Sequence, residues 1–101
     1  MAQKDRIDLN TILQRNPDQL FTSIDDEVVM LNIEHEEYLN LNNQASYIWQ
    51  QLETPHSLSE LIEQICSVYD VERNICTEET LGFVTVFVEK GMIQIVNETV
   101  S

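Results

Sequence analysis

Residues 37–52, EYLNLNNQASYIWQQL, decide the fold, because the spacing of their apolar side chains changes partway along the stretch. As far as Leu41 the residues are typical of a short β-strand. Beyond it, apolar residues recur at the three- and four-residue spacing of a helix, at Ala45, Ile48, Trp49 and Leu52. Asn42 is available to cap the first turn of this helix, and Pro55 marks its end. The stretch therefore predicts a strand that leads directly into a helix.

Two further strands are predicted immediately before this stretch. Residues 20–24 are rich in β-forming side chains and stop at an acidic pair, residues 25 and 26, which is typical of a turn. Residues 27–33 form the next apolar run, and a polar turn at residues 34–36 separates it from the strand at 37–41. The pattern predicts a three-stranded antiparallel meander.

The second helix has a clear start signal. Ser57 and Glu60 have the spacing of a capping box, in which each side chain bonds the backbone of the other residue. Apolar residues at helical spacing follow as far as Tyr69. We therefore expect a helix that begins at Ser57.

The third helix is predicted mainly from its ends. Thr77, followed by two glutamates, is typical of a helix start, and Lys90 with Gly91 is typical of a helix end. The interior, residues 81–88, is rich enough in β-branched side chains to resemble a strand locally, so the end signals decide in favour of a helix. Residues 92–96 then predict a short closing strand.

Three strands followed by three helices make an α+β domain in which helices cover one face of a small sheet. The 101 residues, of which 43% are hydrophobic, suffice for a single core. We place the domain at residues 20–96. Residues 1–19 are polar and show no firm periodicity, so we expect a partly mobile segment or an edge element, and residues 97–101 form a polar tail.

The charge of the chain restricts its partners. Eighteen acidic residues against five basic ones give a formal net charge of −13, which repels nucleic acid and anionic lipid surfaces. The charge either attracts a basic peptide or protein face or serves only solubility. No apolar run approaches the ~20 residues of a membrane-spanning helix, and no signal-peptide pattern follows the charged opening, so we expect a cytoplasmic protein.

Residues able to carry out catalysis or bind metal are few and scattered. Cys66 and Cys76 lack the paired spacing of zinc or redox motifs, and neither they nor His35 and His56 stand in a context that would activate a nucleophile. The glutamates of residues 34–37 lack the glycine-containing pattern of a calcium loop and fit a solvated turn better. We expect no catalytic residue, no metal and no cofactor.

The predicted architecture favours a binding role. A small sheet has edge strands, and the strand at residues 37–41 carries no proline or lysine to prevent pairing with another extended chain. The third helix is apolar over about half of its circumference, on a wheel of 100° per residue. We assign Phe83 and Phe87 to the core. A groove beside the third strand would then be lined by Leu81, Val84, Thr85 and Val88, unless this helix is simply buried on most sides.

Several pieces of the chain together resemble the PqqD-like family. The resemblance extends over residues 21–96. It rests on Val28-Val29-Met30-Leu31-Asn32-Ile33, Tyr38-Leu39-Asn40-Leu41-Asn42, Ala45-x-x-Ile48-Trp49-x-x-Leu52, Leu58-x-x-Leu61 and Glu89-Lys90-Gly91-Met92-Ile93. The most specific part is Leu41-Asn42 followed by Ile48-Trp49.

The resemblance implies a winged-helix-like fold known as the RiPP recognition element. Members of the family bind the leader of a precursor peptide as an added antiparallel strand, in the cleft between the third strand and the third helix. On this sequence, the backbone of Tyr38, Leu39 and Asn40 would pair with the leader. The apolar side chains of the leader would be received by Leu81, Val84, Thr85 and Val88.

Stand-alone domains of this kind resemble two pathway proteins. One is the leader-binding subunit of lasso peptide biosynthesis, which delivers its precursor to a cysteine protease, and the extended polar N-terminus and the acidic charge favour it. The other is the PQQ-pathway chaperone, which presents its peptide to a radical SAM enzyme. A winged-helix transcriptional regulator is the alternative of another class, but the third helix offers only Lys90 against three glutamates where DNA recognition needs basic residues.

Overall fold

The computed structural model of the protein describes residues 7–96, so the charged opening and the polar tail at 97–101 lie outside the described residues. Within this part of the chain the strands are β1 (Ile12–Arg15), β2 (Leu20–Ile24), β3 (Glu27–Asn32), β4 (Glu37–Asn40), β5 (His56–Ser57) and β6 (Ile93–Val96). The helices are α1 (Asn43–Gln51), α2 (Leu58–Val68) and α3 (Arg73–Glu89).

The predicted meander and the α+β, winged-helix-like fold class are confirmed. Strands β2, β3 and β4 form an antiparallel sheet in that order, followed by the three helices. In the turn between β2 and β3, Asp25 and Asp26 have φ angles of 53° and 72°. Aspartate tolerates this left-handed region better than most residues, and two such residues in a row match the twist of a tight hairpin.

A second sheet, in the order β5-β1-β6, was not predicted. Strand β1 is its central strand and pairs antiparallel with both neighbours, so this part of residues 1–19 is not an edge element. Leu13 is fully buried, whereas Gln14 and Arg15 are half-buried. Because only one of the four residues of β1 is buried, the sequence shows no alternation there that would predict a strand. Both partner strands also lie far along the chain, so no local turn signal indicates the pairing.

Arg15 ties this N-terminal strand to the core. Its guanidinium donates a hydrogen bond to the carbonyl of Trp49 at 3.2 Å and lies 4.8 Å from the ring centroid of Phe21. Phe21 and Trp49 themselves meet edge to face, with centroids 5.6 Å apart. The cation therefore packs against two aromatic rings at the junction of the two sheets.

The first two helices begin where the sequence predicts. The Asn42 side chain accepts a hydrogen bond from the Ala45 amide at 2.8 Å. Ser57 and Glu60 form the predicted capping box, at 3.1 and 3.0 Å. Both caps satisfy amide groups that the first turn of a helix leaves without partners.

The predicted start of the third helix was wrong. Helix α3 begins at Arg73, and Thr77 lies inside it, where its hydroxyl donates to the Arg73 carbonyl at 2.8 Å. Cys76 is buried in the core, so packing against the rest of the domain extends the helix by a turn beyond its best capping residue. The predicted end is confirmed, since Lys90 is the C-terminal cap and Gly91 has a φ of 79°.

One apolar core joins the two sheets and the three helices. Its fully buried side chains include Leu13 from β1, Met30 from β3, Trp49 from α1 and Ile93 from β6. In residues 7–96 no helix is both long enough and apolar enough to cross a bilayer.

Candidate binding site

Strand β4 has a free edge. It is the last strand of the meander, among residues 7–96 it pairs with β3 alone, and all four of its residues are exposed. Tyr38 is 77% exposed and Leu39 39%. An extended chain could therefore add to this edge as a fourth strand.

The hydrogen bonding to β3 determines which groups of β4 face that edge. The Leu41 amide donates to the Val28 carbonyl at 2.8 Å, and the register runs without a bulge from there to the pair Asn32 and Glu37. In an antiparallel ladder, alternate residues direct both backbone groups to the same neighbour. Leu39 therefore bonds toward β3, whereas the N–H and C=O groups of Tyr38 and Asn40 point to the free edge.

A cavity of about 580 Å³ opens beneath the inner face of β4. Its apolar lining comes from Met30, Leu39 and Met92, and Met92 lies three residues beyond the last residue of α3. Its remaining lining comes from Asn32, His35, Glu37 and Lys90, together with Tyr38, whose side chain projects to the opposite face of the sheet. The cavity offers an apolar floor with charged groups at the rim, which suits an apolar side chain of a peptide.

A second cavity, of about 400 Å³, lies between the start of α1 and the middle of α3. It is lined by Asn42, Gln44, Ala45, Ile48, Glu79, Thr80, Gly82 and Phe83. Phe83 and Lys90 are about two turns apart and hence on the same face of α3. Because Asn42 comes soon after β4, both cavities border the continuous segment formed by β4 and α1, the first beyond the end of α3 and the second beside its middle.

The structure brings together only some of the predicted site residues. Tyr38 and Leu39 line the first cavity, and Asn40 lies exposed at the free edge. None of the four predicted residues of α3 lines either cavity: Val84 is 0% exposed, and Leu81, Thr85 and Val88 are half-buried. Leu81 and Val88 pack against the core. The assignment of peptide contacts to these seven residues stays a prediction.

The two phenylalanines of α3 differ in their placement. Phe87 is buried in the core as predicted. Phe83 also packs against the core but lines the second cavity, with its ring centroid 4.2 Å from that of Phe87. The apolar arc of α3 covers about half of its circumference, so the sequence pattern could not indicate which flank of the arc meets the groove.

Met92 and Lys90 were missed as lining residues, although a signal for them existed. Gly91 ends α3, so the residues on either side of it must lie at the turn where the chain reverses toward β6. Met30 could have been found by alternation, since it pairs with Leu39 on the inner face of the sheet.

The Cys76 thiol is not activated. Burial raises the pKa of the Cys76 thiol, and its neighbour Cys66 acts in the same direction. The Cys76 Sγ lies 3.7 Å from the Thr80 hydroxyl, and both side chains are buried. A raised pKa keeps this thiol protonated, which is the opposite of what a nucleophile needs. Within residues 7–96, no group of three or more His, Cys, Asp or Glu side chains could hold a metal ion.

Comparison with known proteins gives one family and two similar complexes. The family model described as "Coenzyme PQQ synthesis protein D (PqqD)" matches residues 27–93. A structure of TbiB1 in complex with the TbiA(beta) leader peptide is 26% identical, with a TM-score of 0.71, over 84% of this chain and 99% of that one. A lasso peptide synthetase B1 complexed with the leader peptide is 29% identical, with a TM-score of 0.69, over 81% and 96%.

A third structure is similar in fold alone. It is the PqqD truncation of Methylobacterium extorquens PqqCD, a stand-alone RiPP recognition element, at 12% identity and a TM-score of 0.72, over 92% of this chain and 99% of that one. A comparison with curated protein sequences found no match.

Proposed function

Because the chain belongs to the PqqD family, we propose that it binds the leader segment of a ribosomally synthesised precursor peptide and delivers that peptide to a processing enzyme. The two similar structures at 26% and 29% identity are both complexes with a leader peptide, which supports the same class of ligand here. One of them is a lasso peptide synthetase B1. It favours a lasso-type cysteine protease as the processing enzyme over the radical SAM enzyme of a PQQ-type pathway.

The observation that carries the proposal is the free edge of β4 above a cavity with an apolar floor. The outward backbone groups of Tyr38 and Asn40 are free to pair with an extended leader. Such a strand would direct every second side chain to the inner face of the sheet. There Met30, Leu39 and Met92 line the first cavity and offer apolar contacts.

Delivery of the peptide needs no catalytic group in this chain. A bound precursor is held near the enzyme, so its effective concentration there rises. One added strand with two or three apolar anchors fits micromolar to nanomolar affinity, about 8–12 kcal/mol.

The test is the fluorescence anisotropy of a labelled leader peptide, taken from the precursor gene of the same gene neighbourhood and titrated with the protein at two salt concentrations. We expect saturable binding that unlabelled leader competes away. Salt should weaken it where the leader is basic, because the chain carries a net charge of −13. The proposal is wrong if neither leader nor full-length precursor binds to protein that circular dichroism shows to be folded.

A duplex carrying the promoter of the same genes serves as the control probe. DNA binding would favour the winged-helix regulator instead. We expect none, because helix α2 has no lysine or arginine and the single basic residue of α3 is Arg73, in its first turn. The Arg73 guanidinium lies 3.8 Å from the Glu63 carboxylate.

A further inference from the structure

The outer face of the meander carries an apolar patch that spans all three strands. In the register of the sheet, Leu20 lies opposite Leu31, and Leu31 lies opposite Tyr38. Val29 and Ile24 project on the same side, because side chains alternate along a strand. We call these five residues the outer patch.

The described part of the chain leaves the outer patch uncovered. The inner side chains Val28 and Met30 belong to the core, but no member of the outer patch belongs to the core or packs against it. Leu20, Ile24 and Tyr38 are exposed. A contiguous apolar patch of this kind on a sheet usually marks a protein interaction site.

The surroundings of the outer patch are acidic. The turn at one end carries Asp25 and Asp26, and the turn at the other end carries Glu34 and Glu36, all exposed. No lysine or arginine occurs anywhere from residue 16 to residue 72. A complementary surface therefore has an apolar centre and a rim of lysine or arginine. A second copy would place acidic turns against acidic turns, so the charge opposes self-association.

The outer patch is also continuous with the leader site. Tyr38 lies on β4, and a strand added to the free edge would extend the same face by one more strand. Alternate side chains of the bound leader would then project to the outer face, next to Tyr38, while the others project toward the first cavity. A protein docked on this face would contact the sheet and the bound leader together.

We propose that the outer patch is the docking surface for the processing enzyme, which meets it with an apolar surface rimmed by lysine and arginine and binds the leader-loaded chain more tightly than the free chain. This proposal rests on the proposed function, since it names the surface through which delivery occurs. In this proposal the two partners bind different parts of one sheet. The leader binds the inner face and the free edge, and the enzyme binds the outer face.

The test combines Leu20→Thr and Ile24→Thr, which keep β-forming side chains on β2 while removing apolar area. The matched control combines Val68→Thr and Ile75→Thr, since these side chains are 55% and 51% exposed, close to the 50% and 57% of Leu20 and Ile24. Affinity for the labelled leader is measured by anisotropy. Affinity for the purified cysteine protease of the same gene neighbourhood is measured by calorimetry, with and without leader.

We expect the outer-patch variant to bind leader as the wild type does and to lose affinity for the protease on the order of tenfold. The control should retain both affinities, and added salt should weaken wild-type binding to the protease. Unchanged protease binding by the outer-patch variant would overturn the docking proposal while leaving leader binding intact. The docking proposal would also be wrong if the wild type forms a dimer that this variant abolishes. If the wild type does not bind leader, the proposed function itself is wrong.

Discussion

The amide of Leu41 donates to the carbonyl of Val28 at 2.8 Å, and this one hydrogen bond determines which backbone groups of β4 face outward. The Ser46 hydroxyl completes the pair, because it accepts from the Val28 amide at 2.9 Å and donates to the Leu41 carbonyl at 3.2 Å. Helix α1 is thereby tied to the end of the ladder. The outward groups of β4 are then those of Tyr38 and Asn40.

Asn40→Pro should weaken leader binding without unfolding the sheet. The substitution removes an N–H that faces the free edge, a position where proline is tolerated because the ladder to β3 does not use it. One backbone hydrogen bond contributes about 0.5–1.5 kcal/mol, so the affinity should fall roughly twofold to tenfold. Anisotropy with labelled leader measures the change.

The matched control for Asn40→Pro is Ser23→Pro on the opposite edge of the sheet. The backbone groups of Met30 point to β4, so Met30 and its partner Phe21 on β2 form a non-hydrogen-bonded pair. The backbone groups of Phe21 therefore point away from β3. Ser23 lies two residues further along β2, so its N–H points away from β3 as well. We expect Ser23→Pro to leave leader affinity unchanged. Equal losses in the two variants would mean that the leader does not pair specifically with β4.

Ser46→Ala should destabilise the domain. Ser46 is buried, and its loss leaves the Val28 amide and the Leu41 carbonyl without this partner, which costs about 1–3 kcal/mol of unfolding free energy. Urea unfolding followed by circular dichroism gives the value. Ser67→Ala is the control, since its exposed hydroxyl makes one 3.3 Å bond within α2, and its effect should stay within about 0.5 kcal/mol.

The two glycines should respond to alanine with opposite signs. Gly82 lies inside α3, and a Cβ built on it meets nothing within 4 Å, so Gly82→Ala should stabilise by up to about 1 kcal/mol. Gly91 has a φ of 79°, where alanine is strained, so Gly91→Ala should destabilise by about 1 kcal/mol. Thermal unfolding of both variants measures the difference. Stabilisation by Gly91→Ala would contradict the cap assigned to it.

The parts of the fold that could be predicted are those specified by neighbouring residues. The capping box of Ser57 and Glu60 lies within one helical turn, and the turn at Asp25 and Asp26 joins strands that are adjacent in sequence. Strand β1 could not be predicted in this way, because it is stabilised by pairing with β6 at the other end of the chain.

The start and the orientation of α3 depend on packing rather than on local signals. The helix begins before its best capping residue, Thr77, because Cys76 is buried in the core. The free edge of the candidate site follows from the order of the strands, so it was predictable. Which face of α3 meets the groove was not, because its apolar arc covers about half of the circumference and either flank of that arc could line a groove.

Phe83→Ala and Leu81→Ala separate the two possible faces of α3. Both side chains are half-buried and pack against the core, so each variant should lose about 1–3 kcal/mol of stability. Phe83 lines the second cavity and Leu81 lines neither, so we expect only Phe83→Ala to weaken leader binding, on the order of tenfold. Anisotropy is measured at a temperature where circular dichroism shows both variants folded. If Leu81→Ala weakens binding and Phe83→Ala does not, the leader contacts the face predicted from the sequence, and the second cavity is not part of its site.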